Sequence, residues 1–170
     1  MMASEGPFLA ALIARMVDPE FNLAAYGVAF AFAILIESPV IMLMSASTAL
    51  VEDSSSYRKL RNFMYGLNAL ATGLLLVLLL PPVYGWLMGT ILSLPEQVSD
   101  LTYGALWLLL PWPLAIGYRR FLQGILIRSG RTRLVAIGTV LRLVAMAGTG
   151  LVLYLRFSLP GAWAGAAALS

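Results

Sequence analysis

The chain has 170 residues, of which 61% are hydrophobic and only 11% charged, and its mean hydropathy is +0.88. An average soluble domain is about 45–50% apolar and about 25% charged, so this composition excludes a disordered, collagen-like or disulfide-stapled chain and points to a polytopic membrane protein. Cys and His are both absent from the sequence, which removes thiol catalysis, Cys/His metal sites, Ser-His-Asp triads and histidine proton shuttles.

The start, Met1-Met2-Ala3-Ser4-Glu5, lacks the basic region of a cleavable signal peptide. The run 6–17 is apolar but too short to span, and is expected to be a piece of a helix cut by the chain end. Four longer runs follow at 23–50, 64–80, 101–127 and 134–155. Each has about the 17–25 or more residues needed to cross roughly 30 Å of hydrocarbon, so four complete transmembrane helices are expected. The last run, 160–169, again reads as a piece of a helix. Its Gly161-x3-Gly165 spacing permits close helix packing. The whole chain, 1–170, reads as one partial transmembrane lobe, all-α.

Charge orients these spans. Loop 52–62 carries Arg58, Lys59 and Arg61, and loop 128–133 carries Arg128, Arg131 and Arg133. The loop 81–100 has Glu96 and Asp100 but no Lys or Arg, and 18–22 has only acids. The two basic loops are two spans apart and therefore share a side, the cytoplasmic one of a plasma (inner) membrane. The basic pI, near 9.5, is thereby explained by topology, and no nucleic-acid partner is expected. Tyr57, Leu60, Phe63 and Met64 fall at helical spacing with cations between them. They predict a short amphipathic elbow over 54–63, with Asp53 or Ser54 as N-cap. Trp86, Trp107, Trp112, Tyr84 and Tyr103 gather toward the outer interface, as aromatic belts do.

Few polar residues interrupt the spans. Glu37 lies near the middle of one, where a charge costs about 2.5–3.5 kcal/mol even on a lenient scale. Pro39 follows and frees a backbone carbonyl one turn earlier, near Leu35. Two readings of Glu37 stand: a proton or substrate site, or a helix-packing ion pair. Arg142 sits about 12 Å from the cytoplasmic end of its span at 1.5 Å per residue, and Arg119 is as far from the end of its own. Gln123 shares a face with Arg119. Arg120 reads as a side chain that snorkels to the headgroups, whereas two arginines at one depth favour an inward-facing polar site. Glu37, Arg119, Arg120 and Arg142 together carry a positive balance that suits an anionic or phosphate-bearing substrate. Pro111-Trp112-Pro113 breaks its helix in the outer half, as a hinge or as a packing kink. Substrate or ion binding is therefore assigned to Glu37, Arg119, Gln123 and Arg142, and hinge roles to Pro39, Pro111 and Pro113. No Gly-rich phosphate loop, paired catalytic acids or metal cluster is present, so neither enzyme activity nor a cofactor is expected.

Three stretches carry a family resemblance: Tyr26-Gly27-Val28-Ala29 through Glu37-Ser38-Pro39; Pro111-Trp112-Pro113 through Arg119-Arg120-Phe121-Leu122-Gln123-Gly124 to Arg133; and Val140-Leu141-Arg142-Leu143. Over residues 23–155 the chain resembles the multidrug/oligosaccharidyl-lipid/polysaccharide (MOP) exporter superfamily. Its layout is similar to one lobe of a MATE-type transporter, and its short motifs are similar to the progressive ankylosis branch. The resemblance implies two six-helix lobes about a central cavity, working by alternating access. It further implies antiport, export of small anions, or flipping of lipid-linked sugars, according to branch. This chain would supply the N-terminal lobe only. The expected partners are the bilayer, a second lobe in the same full-length chain or in another, and a small-molecule or lipid-linked substrate. A structural or accessory membrane protein without transport of its own is the competing reading.

Overall fold

A computed structural model of the chain describes residues 5–16, 18–156 and 160–169. Residues 1–4, which carry the reading of the N-terminal start, and Val17, the last of the run 6–17, lie outside the described residues. The described part is helical throughout, without a strand. In chain order the helices are α1 (Glu5–Ile13), α2 (Pro19–Ile41), α3 (Leu43–Leu50), α4 (Ser54–Leu78), α5 (Pro81–Gly85), α6 (Glu96–Leu108), α7 (Trp112–Arg128), α8 (Thr132–Arg156) and α9 (Gly161–Leu169). A π-helical turn, Trp86–Ile91, continues α5.

Local sequence sets most of the boundaries. Pro19 sits at the start of α2, where its missing N–H costs nothing, and Glu20 lies in the same first turn, toward the positive end of the helix dipole. Pro39 leaves α2 and α3 collinear enough to count as one helix, Pro19–Leu50, interrupted only at Met42. Asp53 caps α4 through a capping box: its carboxylate accepts the Ser56 N–H at 2.7 Å, and the Ser56 hydroxyl accepts the Asp53 N–H at 3.0 Å. Gly130, at φ 74°, closes α7. There the N–H of Arg131 reaches the carbonyl of Leu126 at 2.8 Å and that of Gly130 reaches Ile127 at 3.0 Å, the paired bonds of a left-handed helix stop.

Two expectations change here. The elbow over 54–63 is not a separate element, because α4 runs unbroken from Ser54 to Leu78 and carries it as its first turns. Nothing in 54–63 breaks a helix, and the cap at Asp53 starts it there. The stretch 81–100, expected as a loop, is largely helical. Pro81 and Pro82 do end α4, but they also occupy the first positions of α5, where proline is preorganised for a helix. The chain turns by 69° between α4 and the segment Pro81–Ile91, and by 45° between α6 and α7.

Pro19–Leu50 and Thr132–Leu153 are each long and apolar enough to cross a membrane, and each bent pair passes the same test when taken together. The 32 residues of Pro19–Leu50 would extend about 48 Å at 1.5 Å per residue.

Close backbone approach holds the bundle together. The α9 helix is glycine and alanine over most of its length, with Gly161, Ala162, Ala164, Gly165, Ala166 and Ala168 all buried. It packs among α1, α2, α6 and α8. A Cβ on Gly165 would lie 2.8 Å from Ile13 of α1 and 3.1 Å from the Tyr26 ring of α2. The amide of Ala162, at the start of α9, donates to Asn22 Oδ1 at 2.9 Å, while Asn22 Nδ2 donates to the Asp18 carbonyl at 3.0 Å. One buried amide therefore ties the starts of α2 and α9 together. On the other side of the bundle α3 crosses α7, where a Cβ on Gly124 would fall 2.5 Å from the Met44 carbonyl and inside the Ser47 hydroxyl. Thr48 donates to the Gly124 carbonyl at 3.3 Å beside this crossing. One turn beyond, Arg128 donates to the carbonyls of Thr48 (3.0 Å) and Ala49 (2.9 Å), which caps the end of α3 with a cation.

Many large apolar residues lie on the outside, while Leu43, Met64, Leu75, Leu106, Leu109 and Phe121 are buried in the core. Leu35 is 70% exposed and Leu141 69%. Along α8, Ile137, Val140, Leu141, Val144, Leu151 and Val152 form one exposed face. The buried stripe of α2 is instead Asn22, Ala25, Tyr26, Ala29, Ala33, Glu37 and Val40.

Candidate functional site

The α7 and α8 helices lie side by side, and α9 closes the space behind them. Between the three is a cavity of about 290 Å³. Trp112, Ala115, Ile116 and Arg119 line it from α7, Arg142, Ala145, Met146 and Thr149 from α8, and 167–169 from α9. Residues 112, 115, 116 and 119 recur at helical spacing, as do 142, 145, 146 and 149, so each helix turns one continuous face to the cavity. Arg119 is nine residues from the end of α7 and Arg142 ten from the start of α8, so both lie about 14–15 Å from the α7–α8 turn. That shared depth brings the two guanidiniums onto one cavity.

The polar groups of its lining are chiefly donors. A guanidinium has five N–H groups and no acceptor, and an indole has one donor only. The buried Trp112 Nε1 has no hydrogen-bond partner among the described residues. The Thr149 hydroxyl can act either way, and among the described residues no carboxylate lines the space.

Glu37 does not line the cavity. It is 1% exposed on α2, which packs against α7, and lies within electrostatic range of Arg120, Arg119 and Arg142. Its Oε1 has no hydrogen-bond partner among the described residues. Glu37 is the one buried carboxylate of the described residues. The balance around it is thus one carboxylate to three guanidiniums.

Arg120 differs from its expected placement. It does not snorkel outward but is 7% exposed, with Nη1 3.9 Å from the Met44 sulfur. Adjacent residues on a helix are about 100° apart, so Arg119 turns to the α8 side and Arg120 inward. The side chain was within reach of sequence reasoning: Arg120, Phe121 and Gly124 share the buried face that carries Gly117. Gln123, one turn from Arg119, is half-buried and does not line the cavity. Pro39 is exposed on α2. Pro111 and Pro113 stand at the α6–α7 junction, Pro111 as the residue before α7 and exposed, Pro113 in its first turn and buried. The 45° bend falls there.

At the opposite end of α4, Asp53, Ser54, Tyr57, Arg58 and Arg61 border an open groove with Val51 and Glu52. The Asp53 carboxyl is held down at about 2, first by the Ser56 N–H and then by the Ser56 and Ser55 hydroxyls. Tyr57 packs on Phe121 of α7, 5.4 Å between centroids, and the Arg61 guanidinium lies over the Tyr57 ring at 5.8 Å.

No protein-family model, curated protein or solved structure matches the chain. The cavity and the charges around it therefore carry the functional reading.

Proposed function

We propose that the chain is a membrane-embedded transporter lobe that binds an anionic substrate between its helices and moves it by rocking against a second lobe. The observation that carries this reading is the placement of Arg119 and Arg142 on one cavity inside a bundle whose outer surface is Leu, Ile and Val. Arginine stays charged at any working pH. Two such charges in a low-dielectric interior attract anions and repel cations more strongly than they would in water. The break at Pro111–Pro113 gives α7 a point about which to move relative to α6.

In this proposal the loops 52–62 and 128–133 face the cytoplasm of a plasma (inner) membrane, and the lobe is MATE-like, of the MOP superfamily. The resemblance of the three sequence stretches supports that placement. The native chain has no Cys, so labelling of a single Cys placed at Ser54 reads the orientation cleanly: labelling from outside intact cells would overturn it. The function is tested by uptake and counterflow in liposomes, comparing carboxylate anions, phosphate anions and phosphate-bearing lipids with organic cations. Anion uptake that falls in Arg119→Gln is expected. Cation transport unaffected by that change would refute the reading.

A further inference from the structure

The cavity between α7 and α8 opens sideways. Of its lining residues, Ala115, Ala145 and Thr149 are exposed, while Trp112, Ile116 and Met146 are buried. The mouth is therefore a gap between small side chains on two neighbouring helices. Exposed apolar residues surround it: Leu114 and Tyr118 on α7, Leu141, Val144 and Val152 on α8. A ligand entering here passes hydrocarbon-facing residues before it meets Arg119, Arg142 and the Trp112 indole. Such a path rejects a fully hydrated ion, which would shed its water against Leu and Val. It suits an amphiphile with apolar chains outside and an acceptor-rich anionic head inside. The volume, about 290 Å³, is at the lower end of the range for small-molecule pockets, about 300–1,000 Å³, so it takes a headgroup rather than a whole lipid.

We propose that this cavity binds the phosphodiester headgroup of an anionic phospholipid, admitted from the bilayer through the gap at Ala115, Ala145 and Thr149 and held by Arg119 and Arg142. The inference rests on the reading of the chain as membrane-embedded and names the ligand class of the same site. The guanidiniums supply charge-assisted bonds to two phosphate oxygens. A cationic choline beside the phosphate is disfavoured by the same guanidiniums.

The test is native mass spectrometry of the purified full chain titrated with phosphatidylglycerol, phosphatidylcholine or soluble glycerol phosphate. Phosphatidylglycerol should be retained at least tenfold better than phosphatidylcholine. Glycerol phosphate should not displace it at equal concentration. Arg119→Gln and Arg142→Gln should each weaken retention at least tenfold, and the lysine variants should keep most of it. Ala145→Trp, which fills the mouth and leaves both charges, should also lose the lipid. Arg58→Gln, at the far groove, should not. Equal retention of phosphatidylcholine, or retention unchanged by both glutamine variants, would overturn the proposal, and so would displacement by glycerol phosphate. Counterflow that fails while phosphatidylglycerol stays bound refutes transport alone. Transport of soluble anions without lipid binding refutes this inference alone.

Discussion

Alanine at Gly124 should destabilise the bundle, although alanine is the better helix former. In an unstrained helix interior, Gly→Ala is worth up to about 1 kcal/mol in favour of alanine. The crossing of α3 and α7 reverses that sign. The new Cβ would lie 2.5 Å from the Met44 carbonyl and 2.9 Å from Ser47 Cβ. A relaxed carbon–oxygen contact needs about 3.3–3.6 Å, so α3 and α7 must separate by about 1 Å. The first obstacle is backbone and cannot rotate away. Separation also pulls Thr48 from the Gly124 carbonyl and Arg128 from the carbonyls of Thr48 and Ala49, all of which bridge the same pair of helices.

Overpacking of this kind costs about 1–3 kcal/mol, which offsets the propensity gain and leaves a net loss of up to about 2 kcal/mol. At about 2–4 °C per kcal/mol for a chain of this size, the midpoint should fall by several degrees. Thermal unfolding of purified Gly124→Ala in one detergent, against Gly66→Ala, measures it. Gly66 lies within α4, and a Cβ added there would meet nothing within 4 Å, so its alanine variant should be neutral or more stable. A Gly124→Ala protein as stable as Gly66→Ala would refute the close crossing.

Asn22→Ala should cost about 1–3 kcal/mol, because it strands the buried Ala162 N–H; Asn22→Asp, which keeps the acceptor, should recover part of the loss in the same unfolding assay. Glu52→Gln should change stability by less than about 1 kcal/mol, since its 3.5 Å pair with Arg128 is exposed, whereas Arg128→Ala should cost more by uncapping α3 in a double-mutant cycle. Asp53 titrates at about 2 in the fold and at about 3.9 when unfolded; its contribution is therefore complete above about pH 4 and is lost as pH falls toward about 2, and the Ser56 amide should lose protection against exchange, relative to its intrinsic rate at each pH, over that window. Glu37→Gln and Arg142→Gln should each lower stability or uptake, and the double variant should be milder than their sum; strict additivity would refute coupling between them.

Several of these features can be read from sequence alone, and the reason is that they are local or periodic. Apolar run length locates the long helices to within a few residues at most ends, and counting along them sets Arg119 and Arg142 at one depth. The capping choice at Asp53 needs only three residues of context. The helical character of 81–91 is hidden because a proline pair stops one helix and starts another with the same signature. Arg128 reads as a topology signal, and its capping of α3 depends on a helix 80 residues away in sequence. The pairing of Gly124 with Ser47 likewise needs the crossing itself; nothing in the neighbourhood of either residue encodes its partner.

Glycine crossings and the arginine cavity follow from one physical constraint. In lipid, apolar side chains gain nothing by leaving the solvent, so helices associate through close packing and polar contact. That favours Gly, Ala, Asn and Ser at the helix crossings, as at Gly124–Ser47 and Asn22–Ala162, and lets many Leu and Val stay outside. Small interior residues also set where space remains. On α8 the cavity face carries Ala145 and Thr149 beside Arg142, so the helix approaches α7 without filling the gap around the guanidinium. A leucine at position 145 would close that gap with ordinary core volume. The guanidinium of half-buried Arg142 would then have less room beside it for an anion or water. In the proposed reading, the small residues around Arg142 therefore do two things at once: they let α8 approach α7 closely, and they leave the guanidinium open to an anionic headgroup.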